Sequence, residues 1–133
     1  MSDAEGLEAA IQSDSPEQSF LAALRQGSPM IQCCDSCGNR FYFPRTHCPA
    51  CRCADYTWVP MGRTGSLYSY SEIPAHGERP GRNVILVEME DGFRMMSTCP
   101  ACGPAELEIG MPLRARVDGS TEPPRIVFED ART

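Results

Sequence analysis

Cys34-Asp35-Ser36-Cys37 and Cys48-Pro49-Ala50-Cys51 stand ten residues apart, and no other feature restricts the fold of this chain so tightly. Two Cys-x-x-Cys pairs at that distance are what a tetrahedral four-thiolate metal site needs. Each pair wraps one side of an ion in a tight knuckle, and the hairpin between them brings the pairs together. Gly38 suits the positive φ required beneath the first pair of sulfurs. Phe41-Tyr42-Phe43 has the aromatic content of a ribbon strand. The expected ligands are Cys34, Cys37, Cys48 and Cys51, and the expected ion is structural Zn²⁺, although a sulfur-only tetrahedron also accepts iron. Four protein thiolates leave no open position for water, which argues against hydrolytic metal catalysis. The ion's task is to hold a segment too small to bury an adequate core.

The remaining four of eight cysteines call for separate readings. Cys33 points away from its neighbour if Cys34 ligates, and reads as an inert buried thiol. Cys53 would replace Cys51 only in a shifted register, which the spacing disfavours. Cys99-Pro100-Ala101-Cys102 is a second thiol pair with three readings: a plain loop, a disulfide or redox pair, or half a metal site shared with a partner. A thioredoxin-type pair would open a helix after a strand, whereas Pro104 follows closely and no helical pattern succeeds it.

Composition excludes much enzyme chemistry. All twelve basic residues are arginine, so lysine Schiff bases and P-loop lysines are absent. Two histidines, His47 and His76, complete no Ser-His-Asp arrangement. Glu88 and Glu90 share a strand face and read as solvated surface. A length of 133 residues allows one ordinary domain or two very small ones. No apolar run, Val84-Ile85-Leu86-Val87 included, approaches the ~18 residues of a membrane span. The acidic N-terminus lacks the features of a signal peptide, so a cytoplasmic location is expected, where eight cysteines read as metal or redox groups rather than a disulfide framework. Most of the net charge of −6 falls within residues 1–28, and the near-neutral body argues against a generic nucleic-acid binder.

Four segments follow: an acidic disordered leader over 1–14, an amphipathic helix over 15–28, a metal ribbon over 29–55 and a β-barrel over 56–129. Ser15-Pro16-Glu17-Gln18 reads as a capping box with proline at the first helical position; Phe20, Leu21, Ala23 and Leu24 form one apolar face and Gly27 a stop. Such a helix is too short to stand alone and must dock, either on its own domain or on a partner. Strands are expected at Tyr56–Met61, Gly65–Ile73, Asn83–Glu90, Phe93–Thr98, Leu113–Val117 and Arg125–Glu129. Asp91-Gly92 reads as a two-residue hairpin turn. The fold class is therefore mainly β: a short N-terminal helix, a ribbon and a five-stranded OB barrel.

The ordered set Gln32-Cys33-Cys34-Asp35-Ser36-Cys37-Gly38, Phe43-Pro44-Arg45, Cys48-Pro49-Ala50-Cys51 and Trp58 resembles the opening of a known family. Gly65–Tyr70, Val84–Gly92 and Ile109-Gly110-Met111-Pro112-Leu113 resemble its second half, so the likeness covers roughly residues 18–128. The family is the domain-of-unknown-function group of OB-fold proteins with a rubredoxin-like zinc ribbon, associated with acyl-CoA. The resemblance implies a non-catalytic companion subunit of a thiolase-fold enzyme in a hetero-oligomer of two plus two. Family members accompany acetoacetyl-CoA and hydroxymethylglutaryl-CoA synthesis, steroid side-chain aldol cleavage, phloroglucinol acylation and the benzylsuccinate route of toluene breakdown. The partner would carry the catalytic groups, and this chain would shape the acyl-CoA channel. Arg79 or Arg82 is then a candidate contact for coenzyme A phosphates. The extra Cys33 and Cys53 and the pair Cys99 and Cys102 depart from the family pattern. Two competing functions are a single-stranded nucleic-acid module stacking bases on Tyr68, Tyr70 and Phe93, and a redox module built on Cys99 and Cys102.

Overall fold

The computed structural model describes residues 15–132, so the leader expected over 1–14 lies outside the described residues. The chain forms two compact units, one running to Met61 with Gly119–Arg125 added, the other Gly62–Asp118 with the residues from Ile126.

In the first unit, helix α1 (Pro16–Arg25) begins as its sequence predicts. The Ser15 hydroxyl accepts from the Gln18 N–H at 3.2 Å, and the Gln18 side-chain oxygen accepts from the Ser15 N–H at 3.2 Å. At the other end, Ser28 N–H donates to the Ala23 carbonyl and Gly27 N–H to that of Leu24, a Schellman cap that places Gly27 at φ +75°. Phe20, Ala23 and Leu24 are buried, and the Phe20 ring lies 5.5 Å from that of Tyr42, so the helix docks within its own unit.

Three antiparallel strands complete this unit in the order β2-β1-β3: β1 (Met30–Cys34), β2 (Arg40–Phe41) and β3 (Tyr56–Pro60). The sequence places the strand at Tyr56–Met61 in the barrel. It instead pairs along its whole length with β1, from Met30↔Pro60 to Cys34↔Tyr56. The reason is backbone satisfaction. β1 is central, β2 covers only one edge with two residues, and the other edge needs a partner for its N–H and C=O groups.

The second unit is a five-stranded antiparallel sheet ordered β6-β5-β4-β7-β8: β4 (Thr64–Ile73), β5 (Arg82–Met89), β6 (Arg94–Ser97), β7 (Pro112–Asp118) and β8 (Arg125–Asp130). The Phe128 N–H donates to the Thr98 carbonyl at 2.9 Å and the Ser97 hydroxyl to that of Ile126, so β8 also meets the end of β6 and the sheet closes. That is the OB connectivity the sequence predicts. Leu67, Ile85, Val87, Met95, Leu113, Val127 and Phe128 fill the interior. A Cβ on Gly65 would stand 2.7 Å from the Glu88 carbonyl, so only glycine lets β4 and β5 approach there. Opposite Val87 and Leu86, β4 carries one extra residue, Tyr68, whose ring is exposed.

The β5–β6 turn differs from the expected two-residue hairpin. Met89 and Phe93 face each other, with Met89 N–H donating to the Phe93 carbonyl at 2.8 Å, so the loop has three residues, Glu90 to Gly92. Only Gly92 has positive φ (+92°), whereas a two-residue type I′ turn requires it at both central positions.

Candidate metal centre

The two knuckles are the same turn made twice. Cys34 N–H donates to the Asn39 carbonyl at 2.9 Å and Gly38 N–H to that of Cys34 at 2.9 Å. Likewise Cys48 N–H donates to the Cys53 carbonyl at 2.9 Å and Arg52 N–H to that of Cys48 at 2.8 Å. Gly38 and Arg52 occupy equivalent positions, at φ +76° and +67°. In the first knuckle glycine meets that demand freely; in the second an arginine is held in it.

This repetition brings the four predicted sulfurs together, with all four within 4.8 Å of one another. Cys34 Sγ is 3.4 Å from Cys51 Sγ, and Cys37 Sγ is 3.7 Å from Cys48 Sγ. A tetrahedron with metal–sulfur bonds of ~2.3 Å has edges of ~3.8 Å, so the donor set fits such an ion. Cys34 and Cys48 are buried while Cys37 and Cys51 are exposed. Phe41 packs against Cys34 and Cys48, with Cys53 and Tyr56 at the margin. The rings of Phe41, Tyr56 and Trp58 meet edge to face at 6.4 and 6.0 Å, giving the cluster an aromatic wall.

The knuckle amides turn toward the sulfurs. The Cys37 N–H is the main influence lowering the Cys34 thiol. Burial works against the Cys48 thiolate, but the N–H groups of Cys51 and Ala50, with Cys37 and Asn39, outweigh it and hold this thiol down to about 6. Cys51 goes the other way: the Cys53 N–H lowers it, yet the neighbouring thiols, Cys34 foremost, push it up to about 12. These opposite signs have one cause, since four adjacent thiols cannot all ionise without a cation among them. Asn39, whose Nδ2 approaches Cys48 Sγ at 3.8 Å, and Gln32 are supporting residues that cysteine spacing does not disclose. Gln32, fully buried, donates to the Arg45 carbonyl at 2.6 Å and accepts from the Arg45 N–H at 2.8 Å, which fixes the chain between the knuckles.

The other predicted positions lie apart from this group. Cys33 and Cys53 are half-buried; Cys33 Sγ faces the Gly38 carbonyl and Cys53 Sγ the Asp55 N–H. Cys99 and Cys102 are buried in the second unit. Arg79 and Arg82 are exposed, Arg79 on the β4–β5 connection, where it exchanges backbone hydrogen bonds with His76 at 3.0 Å, and Arg82 as the first residue of β5, opposite Ile73. Of the three aromatic residues expected to stack on bases, Tyr68 and Tyr70 are exposed, and the Arg94 guanidinium lies 3.9 Å over the Tyr68 ring. Phe93 does not join them. It is buried, because the three-residue loop turns it into the core.

A family model for the ChsH2 rubredoxin-like zinc ribbon domain matches residues 21–56, and one for the ChsH2 C-terminal OB-fold domain matches residues 58–118. The chain belongs to the ChsH2 family. Its zinc ribbon domain thus carries four cysteines positioned to bind a metal. Among relatives, a Thermomonospora curvata protein described as a probable enoyl-CoA hydratase alpha subunit is 33% identical over 98 residues, 71% of this chain but 30% of that one. A DUF35 domain-containing scaffold protein of Methanocaldococcus jannaschii is 30% identical over 87 residues, 62% of each chain. The chain thus spans under a third of the first relative and under two thirds of the second. Among solved structures, a chain of an Ltp2-ChsH2(DUF35) aldolase superposes with a TM-score of 0.74 at 27% identity, over 89% of this chain and 96% of that one. A Sulfolobus solfataricus DUF35-family protein of unknown function shares the fold, with a TM-score of 0.61 at 19% identity over 95% and 96% of the two chains. No helix among the described residues is long and apolar enough to cross a membrane.

Proposed function

We propose that this chain is a scaffold subunit of an acyl-CoA enzyme whose catalytic partner has a thiolase fold, and that it performs no chemistry itself. One observation carries the reading: the likeness to a chain of an Ltp2-ChsH2(DUF35) aldolase extends over 89% of this chain and 96% of that one. The scaffold naming of the Methanocaldococcus jannaschii relative supports it independently. In this reading Cys34, Cys37, Cys48 and Cys51 hold a zinc ion. Zinc supplies no redox or Lewis-acid chemistry here, because four thiolates saturate it; it fixes the ribbon as a rigid docking element. The partner makes or breaks a carbon–carbon bond by thiolytic or aldol chemistry. This chain forms part of the acyl-CoA channel, where exposed Arg79 and Arg82 offer cations to the coenzyme's phosphates.

The test is co-expression with a candidate thiolase-fold partner, followed by light scattering and metal analysis of the purified complex. A two-plus-two assembly with one zinc per ribbon is expected, and Cys34→Ser should lose both the zinc and the complex. If the complex and its activity survive loss of the metal, docking through the ribbon is wrong. Salt-dependent micromolar binding of oligonucleotides by the isolated chain would instead favour the nucleic-acid reading.

A further inference from the structure

Cys99 and Cys102 occupy the turn that leaves β6, and a single residue builds that turn. Asn83, near the start of β5 and 5% exposed, donates through Nδ2 to the Cys99 carbonyl at 2.9 Å and the Cys102 carbonyl at 3.1 Å. Its Oδ1 accepts from the Cys99 N–H at 2.9 Å. The Cys102 N–H closes the turn on the Cys99 carbonyl at 3.1 Å, and the Thr98 hydroxyl bonds Asn83 at 2.8 Å. This network puts both side chains on one side of the turn, with Cys99 Sγ 2.7 Å from Cys102 Sγ. That is within an ångström of the ~2.05 Å of a sulfur–sulfur bond.

A closed metal site is not what surrounds this pair. Among the described residues, the ribbon cysteines are the group of three or more ligating side chains that could hold an ion, and neither Cys99 nor Cys102 belongs to it. The two thiols also differ. Cys99 is fully enclosed, and burial, with Cys102 and Asp130 nearby, pushes it up to about 12. Cys102 is 7% exposed and interacts electrostatically with Arg132, whose guanidinium is held by Asp130 and by the Glu106 carbonyl at 2.9 Å. One sulfur thus lies at the rim beside a cation, and the other waits behind it.

We propose that Cys99 and Cys102 are a reversible modification site that closes to an intramolecular disulfide by exchange with a low-molecular-weight disulfide of the glutathione class. Cys102, having released its proton, attacks one sulfur of the reagent and expels the first thiol. Cys99 then gives up its proton and attacks Cys102 Sγ, expelling the second. Two electrons and two protons pass from the protein to the reagent, which leaves as two thiols. The bond ties the end of β6 to the short 3₁₀ helix at Pro104–Glu106 and so stiffens the connection that carries exposed Ile109.

The test uses the full chain with its metal, equilibrated across ratios of reduced to oxidised glutathione, acid-quenched, alkylated and cut with trypsin. Cleavage at Arg94 and Arg114 isolates Cys99 and Cys102 on one peptide, and cleavage at Arg52 and Arg63 isolates Cys53 on another as an internal reference. The 95–114 peptide should lose two hydrogens and resist alkylation at a ratio roughly tenfold more reducing than the one that oxidises Cys53. Alkylation of both cysteines at every ratio overturns the proposal. So does accumulation of a glutathione adduct in place of the ring, or oxidation of the pair only alongside Cys53.

Discussion

Removing the Gln32 side chain tests whether the ribbon is held by a buried amide as well as by its sulfurs. Gln32→Ala deletes two hydrogen bonds, at 2.6 and 2.8 Å, to the backbone of Arg45. Each stranded peptide group costs about 1–3 kcal/mol, and exposure of Arg45 lets water recover part of this, so a loss of about 2–4 kcal/mol is expected. Gln32→Glu keeps the shape and separates polarity from volume. Its carboxylate still accepts from the Arg45 N–H but faces the Arg45 carbonyl without a proton, which raises its folded pKa. A raised pKa means that the stability of this variant is greatest at low pH and falls as pH rises through the folded value, a slope that Gln32→Ala lacks. The assay is urea unfolding of the metal-loaded protein, followed by fluorescence of Trp58, the single tryptophan, which pairs directly opposite Gln32 across β1 and β3. The reasoning fails if Gln32→Ala unfolds within about 0.5 kcal/mol of the parent, or if Gln32→Glu matches the parent at pH 8.

Three further outcomes follow from geometry. Arg52→Gly should raise stability by about 1 kcal/mol, because it relieves a left-handed backbone that costs a non-glycine residue about 1–2 kcal/mol; a lower unfolding midpoint refutes this. Gly65→Ala should destabilise the barrel by about 1–3 kcal/mol, since its new methyl meets the Glu88 carbonyl and a Val87 methyl; neutral thermal melts would show the strands have room. Hydrogen bonds from Arg132 hold the Asp130 carboxyl below its ordinary value. That contribution is complete above the usual carboxylate range near pH ~4 and is lost as pH falls through the folded value. Arg132→Ala should therefore return Asp130 to its ordinary value in an NMR titration and flatten the acid limb of the stability curve, and an unmoved titration sinks the assignment.

Features written in consecutive residues were legible from the sequence. Ser15 to Gln18 form their capping box, the cysteine knuckles bring four sulfurs together, and six strand segments lie within a residue or two of their expected bounds. What escaped depended on partners distant in the chain. Nothing within Tyr56–Pro60 says which sheet it will join, because the answer lies in the open edge of β1. Asp91-Gly92 suits both a two- and a three-residue hairpin, and the register of β5 against β6 decides between them and buries Phe93. Gln32 and Asn83 are polar residues in apolar settings, and sequence alone does not reveal which backbone groups, 13 and 16 residues away, they satisfy.

The placement of Cys34 at the end of β1 has a consequence for the order in which the ribbon is made. All four clustered cysteines have been synthesised by Cys51, whereas β3, which covers the second edge of β1, begins only at Tyr56. At translation rates of ~5–20 residues per second the nine residues from Cys51 to Pro60 leave that edge bare for about half a second to two seconds after the cluster is complete. An ion captured in that interval would hold β1 and β2 in register before the last strand emerges from the ribosome, so β3 would add to a finished template instead of helping to create one.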